Sequence, residues 1–377
     1  MRKHEFKILN WLVIGATVFS SSLLMAGNGD RVGAAGATQL LVNPWARSVA
    51  VGDANVASVN GIESTFINIA GLSTVRKTQI KANYTNWLGN SKINYITAGV
   101  AQSLGDAGVL SVSLQSMNFG EIQRTTVENP EGGIGVFVPK VNVISLGYAK
   151  MFTPSIHGGL QVKVISESIA NANSIGVAID AGVRYQTGKD DRLKIGITLK
   201  NVGPAMRYKG DGFQYQGQYV LTGATASLIQ RSQSYELPSL LSMGISYDIF
   251  LNGDKGNSAS KVESGATNSL KKSKPEIKHV LTPMFAFTAN SFGDDQLRLA
   301  MDYGLSTDKV AFNLRAGYVY EKNIFNVENR TNALTGFTAG FSIDAITKSQ
   351  TALGIEYAVR LSSPFGVIHT VGLAISL

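Results

Sequence analysis

The chain contains no cysteine. That excludes disulfides, thiolate metal sites, cysteine nucleophiles and lipid-anchored bacterial N-termini. Charge is sparse as well, at 16% of residues, where soluble proteins carry about 25%. Proline is scarce at 9 residues while glycine reaches 40, a balance that suits many pleated strands joined by turns. Beyond the first 26 residues no apolar run approaches the length of about twenty that a spanning helix needs. A membrane protein without such helices must be a closed barrel, because an open sheet edge in lipid leaves backbone groups unpaired.

Motifs of chemistry are missing too. His4, His157, His279 and His369 lie far apart with no ligand spacing, so no zinc signature exists. There is no Walker A sequence and no G-x-S-x-G. Gly132-Gly133-Ile134-Gly135 lies in a polar loop and not between a strand and a helix, so it is no dinucleotide loop. Asp190-Asp191 and Asp294-Asp295 fall in tight turns, where Asp is common for backbone reasons. Neither a catalyst nor a metal or cofactor is expected. The net charge is +8, but the Lys and Arg scatter through turns and polar strand faces, so nucleic acid is not an expected partner.

What is present is alternation. From 296 to 305, Leu297, Leu299, Met301, Tyr303 and Leu305 alternate with Gln296, Arg298, Ala300, Asp302 and Gly304. After a polar break, Val310, Phe312, Leu314, Ala316, Tyr318 and Tyr320 alternate with Ala311, Asn313, Arg315, Gly317 and Val319. Side chains of a strand point to opposite faces with period two, so this is a hairpin with one apolar and one polar face. Each arm is about ten residues, the length of a tilted strand crossing a bilayer. Lipid outside and a lumen inside would suit the two faces. A hairpin in a large soluble sheet fits this stretch alone equally well.

The whole chain favours the barrel. Residues 1–26 read as a cleaved export signal: Arg2, Lys3 and Lys7, a short apolar core over 11–19, and a cleavage site after Leu24-Met25-Ala26. Residues 27–77 are rich in Gly, Ala, Ser and Asn and lack long alternating runs, which suits a compact segment that packs inside something. Strand-like arms cover 78–86, 93–103, 108–117, 142–152, 156–167, 175–186, 192–200, 238–250, 278–290, 296–305, 309–320, 333–344, 350–359 and 367–377. That is fourteen, an even number, as bacterial barrels require. If the first strand runs outward, the periplasmic links are short except 251–277, and the outward ones include long loops at 118–141, 201–237 and 321–332, which places the long loops outside and both termini in the periplasm. A stretch over 221–231 could be a strand, but it would make the total odd, so it is expected in the loop. Residues 252–274 read as a flexible periplasmic linker. Tyr84, Trp87, Tyr148, Tyr247, Tyr318 and Tyr320 lie near arm ends, where interface girdles form.

Certain residues resemble a known family. Gly36 to Arg47 (Gly-Ala-Thr-Gln-Leu-Leu-Val-Asn-Pro-Trp-Ala-Arg), Ala54-Asn55-Val56-Ala57 and Asn68-Ile69-Ala70-Gly71-Leu72 resemble the start of the PorV/PorQ family of Bacteroidota outer-membrane proteins. Asn201-Val202-Gly203-Pro204 and Glu236-Leu237-Pro238-Ser239 fit it too, though family members commonly have Pro where this chain has Ile69. The resemblance implies a fourteen-stranded transmembrane antiparallel β-barrel like FadL, with the N-terminal segment as a plug in the lumen. It also implies association with the type IX secretion system, with secretion-system proteins and secreted cargo domains as partners. Its plug motif falls on Asn43, Pro44, Trp45, Arg47, Asn68, Gly71 and Leu72.

The expected function is therefore a non-enzymatic outer-membrane barrel, in contact with the lipid bilayer, that works by protein–protein contact. Phe119, Ile122, Val127, Ile134, Val136, Phe137 and Val138 load one outer loop with apolar side chains, which suits a partner surface. Arg192, Lys194, Lys200, Arg298, Asp302, Arg315 and Glu356 fall on the polar strand faces and are expected in the lumen. The alternatives are passive uptake of hydrophobic small molecules, as in FadL, and a structural subunit of another envelope assembly. Uptake requires an apolar pocket among the outer loops and a gap in the wall or plug.

Overall fold

The computed structural model describes residues 31–219, 221–251, 277–326, 332–347 and 351–377. The expected export signal and the linker over 252–274 lie outside these residues.

Fourteen antiparallel strands form the wall. They are β1 (Thr78–Trp87), β2 (Ile93–Ser103), β3 (Val109–Asn118), β4 (Lys140–Thr153), β5 (Ile156–Ile169), β6 (Ala172–Thr187) and β7 (Leu193–Val202). The second half holds β8 (Leu240–Tyr247), β9 (Lys278–Asn290), β10 (Gln296–Ser306), β11 (Val310–Glu321), β12 (Gly336–Ile346), β13 (Ala352–Ser362) and β14 (Gly366–Ser376). Each pairs with its neighbour, and β1 pairs with β14 through Tyr84↔Val371 and Asn86↔His369. Closure leaves no edge strand to seek another chain.

Alternation sets the two faces. Outward Leu146, Leu160 and Leu373 are each about 60% exposed (59%, 60% and 60%), whereas inward Ser145, Gln161 and Thr370 are each 1% exposed. A soluble protein does not present an apolar belt of this extent to water. The architecture is that of an outer-membrane barrel. Tyr84, Tyr148, Tyr247 and Tyr320 face outward and exposed, as an interface girdle requires. Trp87 does not: it is buried at 9% and turned into the lumen. The termini of the barrel meet at the short-turn end, where the Leu377 N–H donates to the Thr78 carbonyl at 2.9 Å.

Two local departures have physical causes. In the long loop over 203–239, Gln214–Gln218 pairs with Thr225–Ile229 as a ribbon separate from the barrel, so a real strand in this loop leaves the barrel count even. The arm expected over 238–250 is interrupted. Strand β8 stops at Tyr247, and Ile249–Phe250 resumes pairing with β9 one residue later. Between them Asp248 turns into the lumen, accepting from Lys194 Nζ at 2.5 Å and Thr282 Oγ1 at 2.8 Å. Pro283 stands opposite the break and has no N–H to give the ladder.

Residues 37–72 are largely buried and contact the inward side of the wall strands. Helix α1 (Ala46–Ala50) lies against β12 and β13, and the 3₁₀ turn Ile69–Thr74 against β4, β5 and β6. Trp45, Ile62, Ile69 and Leu72 are fully buried in the main apolar cluster. Glycines on the wall permit this approach. A Cβ on Gly317 would come within 2.6 Å of the Val51 carbonyl carbon, and one on Gly340 within 2.7 Å of Ala50 Cβ. Trp45→Ala should cost about 3–5 kcal/mol, because truncating a buried Trp leaves a cavity its neighbours cannot fill. A thermal melt of the purified barrel checks this.

Candidate functional site

Two hollows flank the inner segment. The outer one, at the long-loop end, has a volume of about 440 Å³. Its rim is rich in apolar side chains, Val42, Trp87, Met117, Phe119, Leu240, Val319 and Leu334, with Thr38, Gln39, Asn290, Asp294 and Asn332 among them. Most of the apolar ones occupy inward positions at the outer ends of strands, above the level where inward positions hold Ser, Thr, Gln and Lys. Its floor is polar: the charged Asp53, Arg298, Glu321 and Arg360, with the neutral amide of Gln296.

Asp53 is the centre of that floor. Gly52 and Asp53 both adopt left-handed backbone, at φ 57° and 62°, a conformation costly for a side chain other than Gly. The turn aims the carboxylate at the wall. Its Oδ1 accepts from Asn43 Nδ2 at 2.5 Å and its Oδ2 from Arg360 Nη2 at 3.0 Å. Arg298 stands 3.9 Å from the same Oδ2, and its Nη2 donates to Gln296 Oε1 at 2.6 Å. Gln296 Nε2 in turn donates to Glu321 Oε2 at 2.7 Å. Burial alone would push the Asp53 carboxyl up, but Arg360 and Arg298 outweigh it and hold it below the usual carboxylate range.

The inner hollow is smaller, about 200 Å³, and polar, with Arg47, Glu63, Lys194, Asp248, Asp302 and Arg315 in its lining. The turn that carries Asp53 into the outer floor presents its flanking residues Val51 and Asn55 to the inner hollow. Residues 51–55 thus lie between the two spaces. Below them runs a buried ion-pair network. Arg47 Nε meets Glu356 Oε1 at 2.5 Å and its Nη2 meets Asp344 Oδ1 at 2.7 Å. Lys81 Nζ bridges Glu356 Oε1, at 2.7 Å, and Glu63 Oε1.

The motif residues serve the inner segment. Asn43 holds Asp53 and also accepts from the Trp45 N–H at 2.9 Å. Pro44, Trp45 and Leu72 are buried beside it. Asn68 Nδ2 donates to the carbonyls of Val56 at 2.9 Å and Val183 at 3.2 Å, tying segment to wall. Gly71 lies so close to the Val59 carbonyl that no Cβ fits. Of the lumen charges, Lys194, Lys200, Arg298, Asp302, Arg315 and Glu356 do point inward. Lys200 Nζ donates to the Phe66 carbonyl at 2.9 Å and sits over that ring. Arg192 differs. It lies in the turn before β7, paired with Asp190 at 3.0 Å and stacked on Phe250, at the rim of the barrel rather than in its lumen.

The loop residues scatter. Phe119 lines the outer cavity. Ile122 pairs with Phe137 and Val136 with Gln123. Ile122, Ile134 and Phe137 border a separate open hollow in the loop. Val127 is 94% exposed at the tip, and Val138 is half-buried. Sequence reasoning missed Asp53, Arg360, Gln296 and Glu321 as a group, and Trp87, Met117 and Val319 as a rim. The inward phase of Arg360, four residues after Glu356, was the available signal. It also missed that His157 Nδ1 lies 2.7 Å from Ser73 Oγ. Both belong to the seam between β5 and the inner segment, and among the described residues no carboxylate completes a triad with them. No group of three His, Asp or Glu side chains among the described residues converges to hold a metal ion.

No family model matches the chain, and no curated protein matches it. Solved structures do. The Pseudomonas putida toluene transporter TodX is 10% identical over 89% of this chain and 98% of its own, with a TM-score of 0.48. A Pseudomonas aeruginosa FadL homologue is 12% identical over 89% and 96%, with a TM-score of 0.43. LpxR from Salmonella typhimurium is 9% identical over 79% and 100%, with a TM-score of 0.37. The expected place in type IX secretion is corrected by these findings. Among the similar structures are toluene transporters, monoaromatic hydrocarbon channels and a FadL homologue, and no secretion component is among those named here.

Proposed function

We propose that this barrel takes up small apolar molecules across the outer membrane, with the outer cavity as the receiving site. The observation that carries this is the cavity itself: about 440 Å³ beneath the long loops, with a rim rich in apolar side chains over a hydrogen-bonding floor. Small-molecule sites have this size and this mixture, with apolar walls for affinity and a few polar groups for orientation. In this reading residues 31–77 are the plug, and the partition formed by Val51 to Asn55 keeps the lumen shut between passages. Phe119 serves as cavity wall.

The test is accumulation of a labelled apolar solute by cells with and without the barrel. Expression should raise the rate several-fold. Leu334→Arg, which sets a guanidinium into that rim from a half-buried loop position, should return it to the background rate. Equal rates in all three cell types would reject the proposal.

A further inference from the structure

We infer that the molecule this cavity is built for carries one uncharged hydrogen-bonding head, of the hydroxyl or amide class, on an apolar body. The inference rests on the uptake reading above and narrows its substrate. The floor holds two guanidinium groups, Arg298 and Arg360, and two carboxylates, Asp53 and Glu321. They are already arranged against one another: Arg360 on Asp53 at 3.0 Å, Arg298 at 3.9 Å from the same carboxylate, and Glu321 held by Gln296 at 2.7 Å.

A head that fits must meet both kinds of group. The Arg298 side chain is 14% exposed, lines the cavity and stands 3.9 Å from the Asp53 carboxylate without a close contact, so the floor still offers a donor. Its carboxylates, in turn, accept only. A hydroxyl or amide donates to one and accepts from the other. A bare hydrocarbon would displace water from these groups and return no hydrogen bond, a loss of about tenfold in affinity for each group left unpaired. A carboxylate head would find both arginines facing Asp53, with Glu321 on the same floor to repel it. An ammonium head would face the two guanidiniums instead. The rim makes the complementary demand. Trp87, Met117, Phe119 and Val319 offer the body of the ligand apolar contacts.

The test uses four near-isosteres on the full-length barrel in lipid nanodiscs at neutral pH: toluene, benzyl alcohol, benzoate and benzylammonium. Calorimetry should show benzyl alcohol binding at least tenfold tighter than each of the other three. Asp53→Asn removes the counter-charge of Arg360 and Arg298, and should move the preference to benzoate. Glu321→Gln, a second variant that keeps the Asp53 contacts, should weaken the discrimination against benzoate in the same direction. Toluene or benzoate binding the parent as tightly as benzyl alcohol would overturn the inference and leave the uptake reading standing. Binding of none of the four would overturn both.

Discussion

Gly317→Leu should open the lumen. Gly317 sits on the inner face of β11, and even a Cβ there would lie 2.6 Å from the Val51 carbonyl carbon and 2.8 Å from its oxygen. Both are backbone atoms, so no rotamer change relieves the contact, and a leucine adds three more carbons in the same direction. The partition must retreat. Retreat draws Asp53 away from Arg360 and Arg298 and joins the outer and inner hollows. In planar bilayers the parent should be electrically silent, and the variant should conduct in discrete steps at least tenfold above the background. A folded Gly317→Leu barrel that stays silent would show that the seal lies elsewhere in the inner segment. Gly196→Leu makes a parallel case four strands away around the wall, because its Cβ would meet the backbone of Val56 and Ala57.

Lys81→Met should destabilise the protein by about 3–5 kcal/mol, the scale for removing one partner from a buried ion pair. Lys81 is 3% exposed and stands between Glu63, also at 3%, and Glu356, fully buried. Its loss leaves Arg47 as the cation facing both carboxylates. Two like charges then share a site with little water. The measurement is chemical unfolding of parent and variant under identical lipid conditions. Replacing both carboxylates at once, as Glu63→Gln and Glu356→Gln on the Lys81→Met background, should recover much of the loss, because no charge is then stranded. A single variant as stable as the parent would mean that water reaches this network and screens it.

The wall of the barrel was readable because its physics is local. Strands 296–305 and 309–320 were set by period-two alternation, and the structure gives Gln296–Ser306 and Val310–Glu321. The break in β8 was not readable. It depends on Asp248 reaching Lys194 and Thr282, which are far away in sequence. Trp87 shows the same limit on a smaller scale. Its place at an arm end suits an interface girdle, but it occupies the inward phase, so the side chain faces the cavity. The floor was hidden most completely. Asp53 looks like an ordinary turn residue until Arg360, 307 positions later, is brought against it. The motif resemblance gave the FadL-like barrel but not the role, for a related reason. Asn43, Asn68 and Gly71 are placed for how the inner segment packs against itself and the wall. They carry no information about function beyond that packing.

The most direct measurement is a crystal structure of the barrel grown with 4-bromobenzyl alcohol, phased to locate bromine. The expected result is an anomalous peak within the outer cavity, among Trp87, Met117, Phe119 and Val319, with the hydroxyl toward Arg298 and Asp53. Bromine bound only on the lipid-facing wall or in the loops, with the outer cavity holding water alone, would contradict the assignment of that cavity as the receiving site.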